Sequence, residues 1–234
     1  MGDCFCLAPL GAMVHRDPHE VASLFAVEPD GHVLVQFGGG TVRVAPPTDA
    51  EFALAMLAAN TRESLWVNLY EKAIGEVSNF SSSSGKRADL AIDAIAKGGD
   101  GGAIMSYLTG HKVSRFSFKF AGDPGTSPAA RSAKLAELRQ GLAEASEQKL
   151  LMEGGTQKTT TPGLTPHHAY ALLAYSPKTD SVELWNPHNN TFTPEGPPGP
   201  VHGYATKGGR FTVPVTEFVQ QFTGVSFETT EFSR

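Results

Sequence analysis

The segment that most constrains how this chain can fold is residues 167–187, which read HHAYALLAYSPKTDSVELWNP. Two runs rich in aliphatic and aromatic residues flank a stretch of turn-forming residues, Ser-Pro-Lys-Thr-Asp. This pattern predicts a β-hairpin whose strands are buried on both faces. His168 and Asn186 are equally spaced on either side of Pro177. A turn centred on Pro177 therefore places them opposite each other on one face, with Cβ atoms roughly 4.5 to 5.5 Å apart.

A histidine opposite an asparagine has a specific chemical use. In a Cys-His-Asn catalytic unit, the amide oxygen of the asparagine fixes the tautomer and the ring orientation of the histidine, which acts as the general base. His168 and Asn186 are therefore candidate catalytic residues, and a thiol elsewhere in the chain has to complete the unit.

The candidate nucleophile is Cys4, in the first segment of the chain, GDCFCLAPLGAM. Gly2 and Asp3 precede an apolar run, which predicts a helix that Asp3 caps and whose first turn contains Cys4. Unpaired backbone N–H groups and the helix dipole favour the thiolate at this place. A lone cysteine in an apolar segment is more often a small buried hydrophobic residue. The assignment of Cys4 therefore depends on its occurrence together with His168 and Asn186.

Three short motifs resemble, in the same order, the catalytic motifs of the calpain family of cysteine proteases. The residues that match the nucleophile motif Gly-Asp-Cys-Trp-Phe-Leu-Ala are Gly2, Asp3, Cys4, Leu7 and Ala8, with Phe5 and Cys6 in the Trp and Phe positions. The residues that match the histidine motif Gly-His-Ala-Tyr are His168, Ala169 and Tyr170, with His167 in the Gly position. The asparagine motif Arg-Asn-Pro-Trp-Gly is matched by Asn186 and Pro187 and departs at His188 and Asn189.

Other stretches resemble the family in the same order, so the resemblance covers nearly the whole chain. They are Leu65-Trp66, the Glu-Lys-Ala run at 71–73, Thr109-Gly110 and the aromatic pattern at 211–223. The resemblance implies an α+β, papain-like two-lobed cysteine protease fold. A helical lobe at residues 1–110 would carry Cys4, and a mainly β lobe at residues 111–234 would carry His168 and Asn186.

The activity that the resemblance implies is that of a cysteine-type endopeptidase acting on polypeptide substrates. The thiolate of Cys4 would attack a peptide carbonyl, and His168 would protonate the leaving amine. Water would then hydrolyse the thioester, while Asn186 orients the imidazole. The alternative is a catalytically silent, calpain-like module that binds or regulates within a larger protein. Pro9 and His188 favour this alternative. The family's second oxyanion donor is a glutamine just upstream of the nucleophile motif, and its absence from this sequence also favours the silent module.

Helical periodicity makes two further predictions that bear on the site. Pro9 removes a backbone donor from the first helix, which predicts that this helix bends or ends early. The spacing of apolar residues predicts a second helix at residues 64–77, capped by Ser64. Glu71 and Lys72 lie off its apolar stripe, so we expect them to face solvent and to have no catalytic role.

No cofactor is predicted. The resemblance implies calcium, but residues 78–85 and 188–200, where relatives place acidic ligands, contain a single carboxylate, that of Glu195. Calcium sites in proteins gather several such oxygens, so we expect no calcium site built from carboxylates of this chain. A Cys-x-Cys pair is more closely spaced than the usual structural zinc ligands, which disfavours a zinc site at Cys4, Cys6, His15 and His19.

Composition bears on partners and location. A formal net charge of -5 without a dense Lys/Arg cluster argues against a nucleic-acid partner. The longest apolar run, residues 52–59, is far shorter than the roughly 20 residues that a membrane-spanning helix needs. Two cysteines separated by one residue are poorly placed to form a disulfide, which indicates a reduced, cytoplasmic protein. Because the sequence starts inside the family's nucleophile motif, we expect any further domains to lie upstream of Met1.

Overall fold

The computed structural model describes residues 2–54, 65–80 and 88–233, which form an α+β structure of helices and antiparallel sheets. The helices are α1 Cys4–Arg16, α2 Pro18–Ala22, α3 Asp49–Leu54, α4 Leu65–Phe80, α5 Gly101–Thr109, α6 Lys119–Gly122, α7 Pro128–Glu147 and α8 Val215–Gln221, with a 3-10 helix at Ala91–Ile95. The strands are β1 Phe25–Val27, β2 Val33–Phe37, β3 Gly40–Val44, β4 His111–Ser117, β5 Met152–Thr156, β6 Ala169–Ser176, β7 Ser181–Trp185, β8 Arg210–Pro214 and β9 Phe222–Phe232.

These strands form two sheets. The smaller sheet has the order β1-β2-β3, and the larger sheet has the order β4-β9-β5-β6-β7-β8. β6 and β7 are the hairpin that residues 167–187 predict, and β5 and β8 pair with its two outer edges. The hairpin is therefore interior to the sheet, and the first half of β6 is buried throughout, as its unbroken apolar run predicts.

Buried apolar side chains form two clusters, and β6 contributes to both. The first cluster joins α1, α4, α5 and the smaller sheet, and it includes Ala169 and Ala171. The second cluster packs the larger sheet against α7 and α8, and it includes Tyr170 and Leu172. Successive side chains of a strand point to opposite faces, so small residues of β6 face α1 while large ones face the second cluster. This alternation brings the start of β6 against the start of α1.

α1 lies at the centre of the first cluster. It continues through Pro9 to Arg16, so the expected early end is wrong. Pro9 leaves the carbonyl of Phe5 without its helical donor, but burial of most α1 side chains holds the helix together. A Cβ atom at Gly11 would lie 2.2 Å from Cζ3 of Trp185, so α1 can lie this close to β7 only with glycine at that position.

α4 differs from expectation at its charged residues. Its apolar stripe is buried as predicted, but Glu71 is only 1% exposed, and the ammonium of Lys72 pairs with Glu51 at 2.8 Å. The expectation that both charged residues face solvent is therefore wrong. Glu71 faces Asp3, because the start of α1 covers this side of α4. The predicted cap, Ser64, lies outside the described residues.

Candidate active site

The register of the β6–β7 hairpin decides whether His168 and Asn186 meet, because each lies just beyond the end of its strand. The turn comprises residues 177–180, and Ser176 is opposite Ser181. A turn centred on Pro177, and with it the direct opposition of His168 and Asn186, is therefore wrong.

A β-bulge corrects the geometry. Between Leu172 and Ala174 the register shifts by one residue, so that Leu172 is opposite Leu184. A one-residue shift moves every later side chain to the other face of the sheet. Without it, the register at the turn would place His168 and Asn186 on opposite faces. With it, they lie diagonally on the same face, within reach of each other, and His168 Nε2 lies 2.8 Å from Asn186 Oδ1.

A chain of hydrogen bonds fixes the orientation of the Asn186 amide. Asn190 Nδ2 donates to the carbonyl of Gly163, so Asn190 Oδ1 is the acceptor for Asn186 Nδ2 at 3.1 Å. Asn186 Oδ1 consequently points to His168, and it also accepts from the backbone N–H of His188 at 2.9 Å. The proton of the neutral His168 imidazole then lies on Nε2, and Nδ1 is the nitrogen left to act as a base.

His168 is buried between two rings. Tyr170 lies edge-on to it at a centroid distance of 4.9 Å, and His188 covers it at 4.5 Å. Burial lowers the pKa of His168 to about 4, against the opposing effect of the Asn186 hydrogen bond. The imidazole is therefore neutral at physiological pH, as a general base has to be.

Cys4 is the first residue of α1, as predicted, and its thiol lies beside the start of β6. The backbone N–H of Ala169, the residue after His168, donates to Cys4 Sγ at 3.4 Å. The residue is only 8% exposed, and burial raises the pKa of the thiol. The expectation of a thiolate favoured by the helix start is therefore wrong for this state, because desolvation outweighs the backbone N–H groups.

Two buried carboxyl groups, those of Asp3 and Glu71, adjoin the site, and the sequence did not reveal this pair. Asp3 does not cap α1; its Oδ1 lies 3.1 Å from Nε2 of His188, the residue whose ring covers His168. Burial and Asp3 raise the pKa of Glu71 to about 9. Burial alone would raise the pKa of Asp3, but hydrogen bonds with His188 and Glu71 lower it.

The proton on Glu71 accounts for an otherwise unsatisfied pair of carboxyls. With both groups ionised, Asp3 Oδ2 and both oxygens of Glu71 have no donor among the described residues. A protonated Glu71 supplies one, to Asp3. Asn186 and His188 are two residues apart, and side chains at this spacing in an extended chain share a face, so the sequence contained a signal that His188 lies near His168. No pattern in α4 pointed to Glu71.

The other candidates of the sequence lie away from this cluster. Cys6 lies on α1 and is fully buried; its backbone carbonyl accepts from the hydroxyl of Tyr70, and burial raises the pKa of its thiol. His167 is exposed, in agreement with its opposite strand parity.

Across residues 2–54, 65–80 and 88–233, no three His, Cys, Asp or Glu side chains are grouped so as to hold a metal ion. None of the helices in these same ranges is long and apolar enough to cross a membrane.

Comparison with known proteins adds no assignment. No protein-family model matches the chain, and no curated protein matches it. The geometry of Cys4, His168 and Asn186 is thus the observation on which the function depends.

Proposed function

We propose that this chain is a calpain-like cysteine endopeptidase with a papain-like, two-lobed fold. Cys4 is the nucleophile, His168 the general base and acid, and Asn186 the residue that orients the imidazole. The observation that carries the proposal is the 2.8 Å contact between His168 and Asn186, with the Cys4 thiol on the backbone of the residue next to His168. The chemically matched pair His168 and Asn186 is joined here by a thiol from a distant part of the sequence, 165 positions from Ala169.

The two apolar clusters support the division into lobes. Cys4 begins the helix at the centre of the first cluster, whereas His168 and Asn186 lie at the ends of strands of the larger sheet. A site assembled from two packed units lies in the cleft between them, where an extended polypeptide can bind. The lobe boundary near residue 110 then falls between α5 and β4.

The chemistry follows from the protonation states. The Cys4 thiol and the His168 imidazole are both neutral, so the nucleophile forms when the Cys4 proton passes to Nδ1 of His168 as sulfur attacks the peptide carbonyl carbon. The C–S bond forms, the C–N bond breaks, and the proton moves from His168 to the leaving amine. His168 then takes a proton from water as the water oxygen attacks the thioester carbon. The C–S bond breaks, His168 returns the proton to sulfur, and the carboxylic acid and the free thiol are released. The N–H of Nε2 donates to Asn186 throughout.

The tetrahedral intermediate needs a donor for its oxyanion. The backbone N–H of Cys4 lies at the start of α1 and makes no hydrogen bond within the described part of the chain. Backbone N–H groups at a helix start point towards an approaching anion, and the loss of one oxyanion donor costs about 100- to 1,000-fold in rate. This N–H is therefore the donor that the chain itself supplies.

A second candidate function, a calpain-like binding or regulatory module without turnover, is favoured by one observation. The Cys4 thiol is buried, its pKa is raised, and the His188 ring covers the imidazole. An enzyme has to admit its substrate to these covered groups, whereas a module without turnover does not.

Covalent labelling separates the two functions. The native chain is incubated with a fluorescent, peptide-linked epoxide, and the modified residue is identified by mass spectrometry. The endopeptidase should be labelled at Cys4, with labelling lost in Cys4→Ala and strongly reduced in His168→Ala. Cys6→Ser is the matched control and should be labelled like the native chain, because Cys6 lies in the core.

Hydrolysis of a denatured, fluorophore-quenched protein substrate is measured in parallel. Turnover that Cys4→Ala abolishes and Cys6→Ser preserves supports the endopeptidase. Folded protein that neither reacts at Cys4 nor hydrolyses the substrate contradicts it and favours the silent module.

A further inference from the structure

A cleft of about 480 Å³ opens between the start of α5 and the larger sheet. Gly155, on one wall, is opposite Ala169, whose N–H contacts Cys4 Sγ. Gly99, on another wall, lies against the ring of Phe5, the residue after Cys4. Two walls of the cleft therefore lie against residues that adjoin Cys4, and its volume is sufficient for an amino-acid side chain.

The carboxyl group of Glu153 lies at the inner end of this cleft. Glu153 lies on β5 opposite Ala171, which belongs to the first cluster, so the Glu153 side chain points to the face that α1 covers. A Cβ atom at Gly101 would lie 2.3 Å from Glu153 Oε2, which shows how closely the start of α5 approaches the carboxyl. Glycine at this position keeps the carboxyl accessible from the cleft.

Glu153 has no partner although it is only 8% exposed. No described residue forms a hydrogen bond or an ion pair with its carboxyl. The nearest guanidinium, that of Arg115, is engaged at the rim, where it donates to Asp100 at 2.8 and 2.6 Å. Asp100 in turn caps α5 through the N–H of Ala103, so the cap of this helix does not require Glu153.

A buried carboxylate without a partner is costly, and its presence calls for an explanation. Burial and the charge of Asp100 raise the pKa of Glu153 to about 7, against the opposing charge of Arg115. A cation placed in the cleft would favour the ionised carboxylate and supply the missing partner.

We propose that Glu153 anchors a cationic side chain of the polypeptide substrate, lysine or arginine, at a position near the scissile bond. This inference rests on the proposed endopeptidase function and adds its substrate class. The cleft provides space against the neighbours of Cys4, and Asp100 and Arg115 neutralise each other at its rim. The Glu153 carboxylate is then the charge left to select the ligand.

Peptide hydrolysis tests the proposal. Quenched fluorescent peptides that differ at one position, arginine against its uncharged isostere citrulline, are compared as kcat/KM across the positions around the scissile bond. At the position that the cleft serves, the native chain should prefer arginine by about tenfold or more. Glu153→Gln should reduce the preference to about twofold or less, through a lower kcat/KM on the arginine peptide. Glu147→Gln, which alters an exposed carboxylate at the end of α7, should behave like the native chain.

Binding distinguishes failure of this inference from failure of the proposed function. Fluorescence anisotropy of the same peptides is measured with Cys4→Ala and with the double variant that also carries Glu153→Gln. A preference for arginine that only the double variant loses supports the anchor, even if the native chain hydrolyses no peptide. Absence of any arginine preference in binding and turnover overturns the inference, as does a preference that Glu153→Gln retains.

Discussion

The buried carboxyl of Glu71 should make the stability of the protein depend on pH in an unusual direction. The pKa of Glu71 is about 9 in the folded protein, against 4.5 for the ordinary group, so the folded protein keeps a proton that the unfolded chain loses. The free energy of unfolding therefore falls as pH rises from 4.5 towards 9, by about 1.4 kcal/mol per pH unit. Between pH 4.5 and neutrality this amounts to roughly 3 kcal/mol.

Glu71→Gln removes the ionisation and should remove this loss. The side-chain amide keeps a donor for Asp3 Oδ2, as the protonated carboxyl does, and it stays neutral at every pH. At neutral pH we expect the variant to be more stable than the native chain by roughly 3 kcal/mol. The lowered pKa of Asp3 makes the free energy of unfolding depend on pH only below the ordinary value of 3.8, which lies outside this pH window.

Chemical denaturation of the native chain and of Glu71→Gln, at intervals from about pH 5 to pH 8, measures the effect. The stability difference between them should widen as pH rises. His168 and Glu153 also titrate with shifted pKa values, but they do so in both proteins and cancel in the difference. Glu147→Gln, at an exposed position, is the control and should show no widening. A constant difference across this range, or a less stable Glu71→Gln at neutral pH, would refute the reasoning.

Three further predictions concern the site and its supports. Asn186→Ala removes the acceptor of the buried imidazole N–H, so kcat on a peptide substrate should fall by about 10- to 100-fold, whereas Cys4→Ala should abolish turnover; equal losses would contradict an orienting role. Gly11→Ala should lower the free energy of unfolding by about 1 to 3 kcal/mol in denaturant titrations, because its Cβ would overlap Trp185. Gly122→Ala, with open space around its Cβ, is the matched control, and equal effects would argue against the overlap. The melting temperature should be the same with low-millimolar calcium as with a chelator. A rise of several degrees with calcium would show a calcium site that the count of carboxylates does not predict.

Local sequence signals were sufficient to predict the elements on which the candidate site is built. The helix that starts at Cys4 follows from an apolar run after Gly-Asp, and the β6–β7 hairpin follows from two apolar runs around a turn. Both patterns depend on neighbouring residues, so they are legible without knowledge of the fold.

The burial of Glu71 could not be predicted in the same way. Helical periodicity shows which face of α4 is apolar, but not that the start of α1 covers an adjacent face as well. The pairing of Asp3 with His188 is similarly invisible, since it joins residues that are 185 positions apart in the sequence. Such contacts depend on which surfaces the fold brings together.

The sequence by itself determined the identity of Cys4, His168 and Asn186 as chemically matched residues beside the ends of predictable elements. Only the tertiary structure decided that His168 and Asn186 meet and that the Cys4 thiol lies against the backbone N–H of Ala169. The register shift between Leu172 and Ala174 places His168 and Asn186 on one face, and no propensity of these residues specifies a bulge there. Protonation was also decided by the fold, because the desolvation that raises the pKa of Cys4 and lowers that of His168 exists only when distant segments exclude water together.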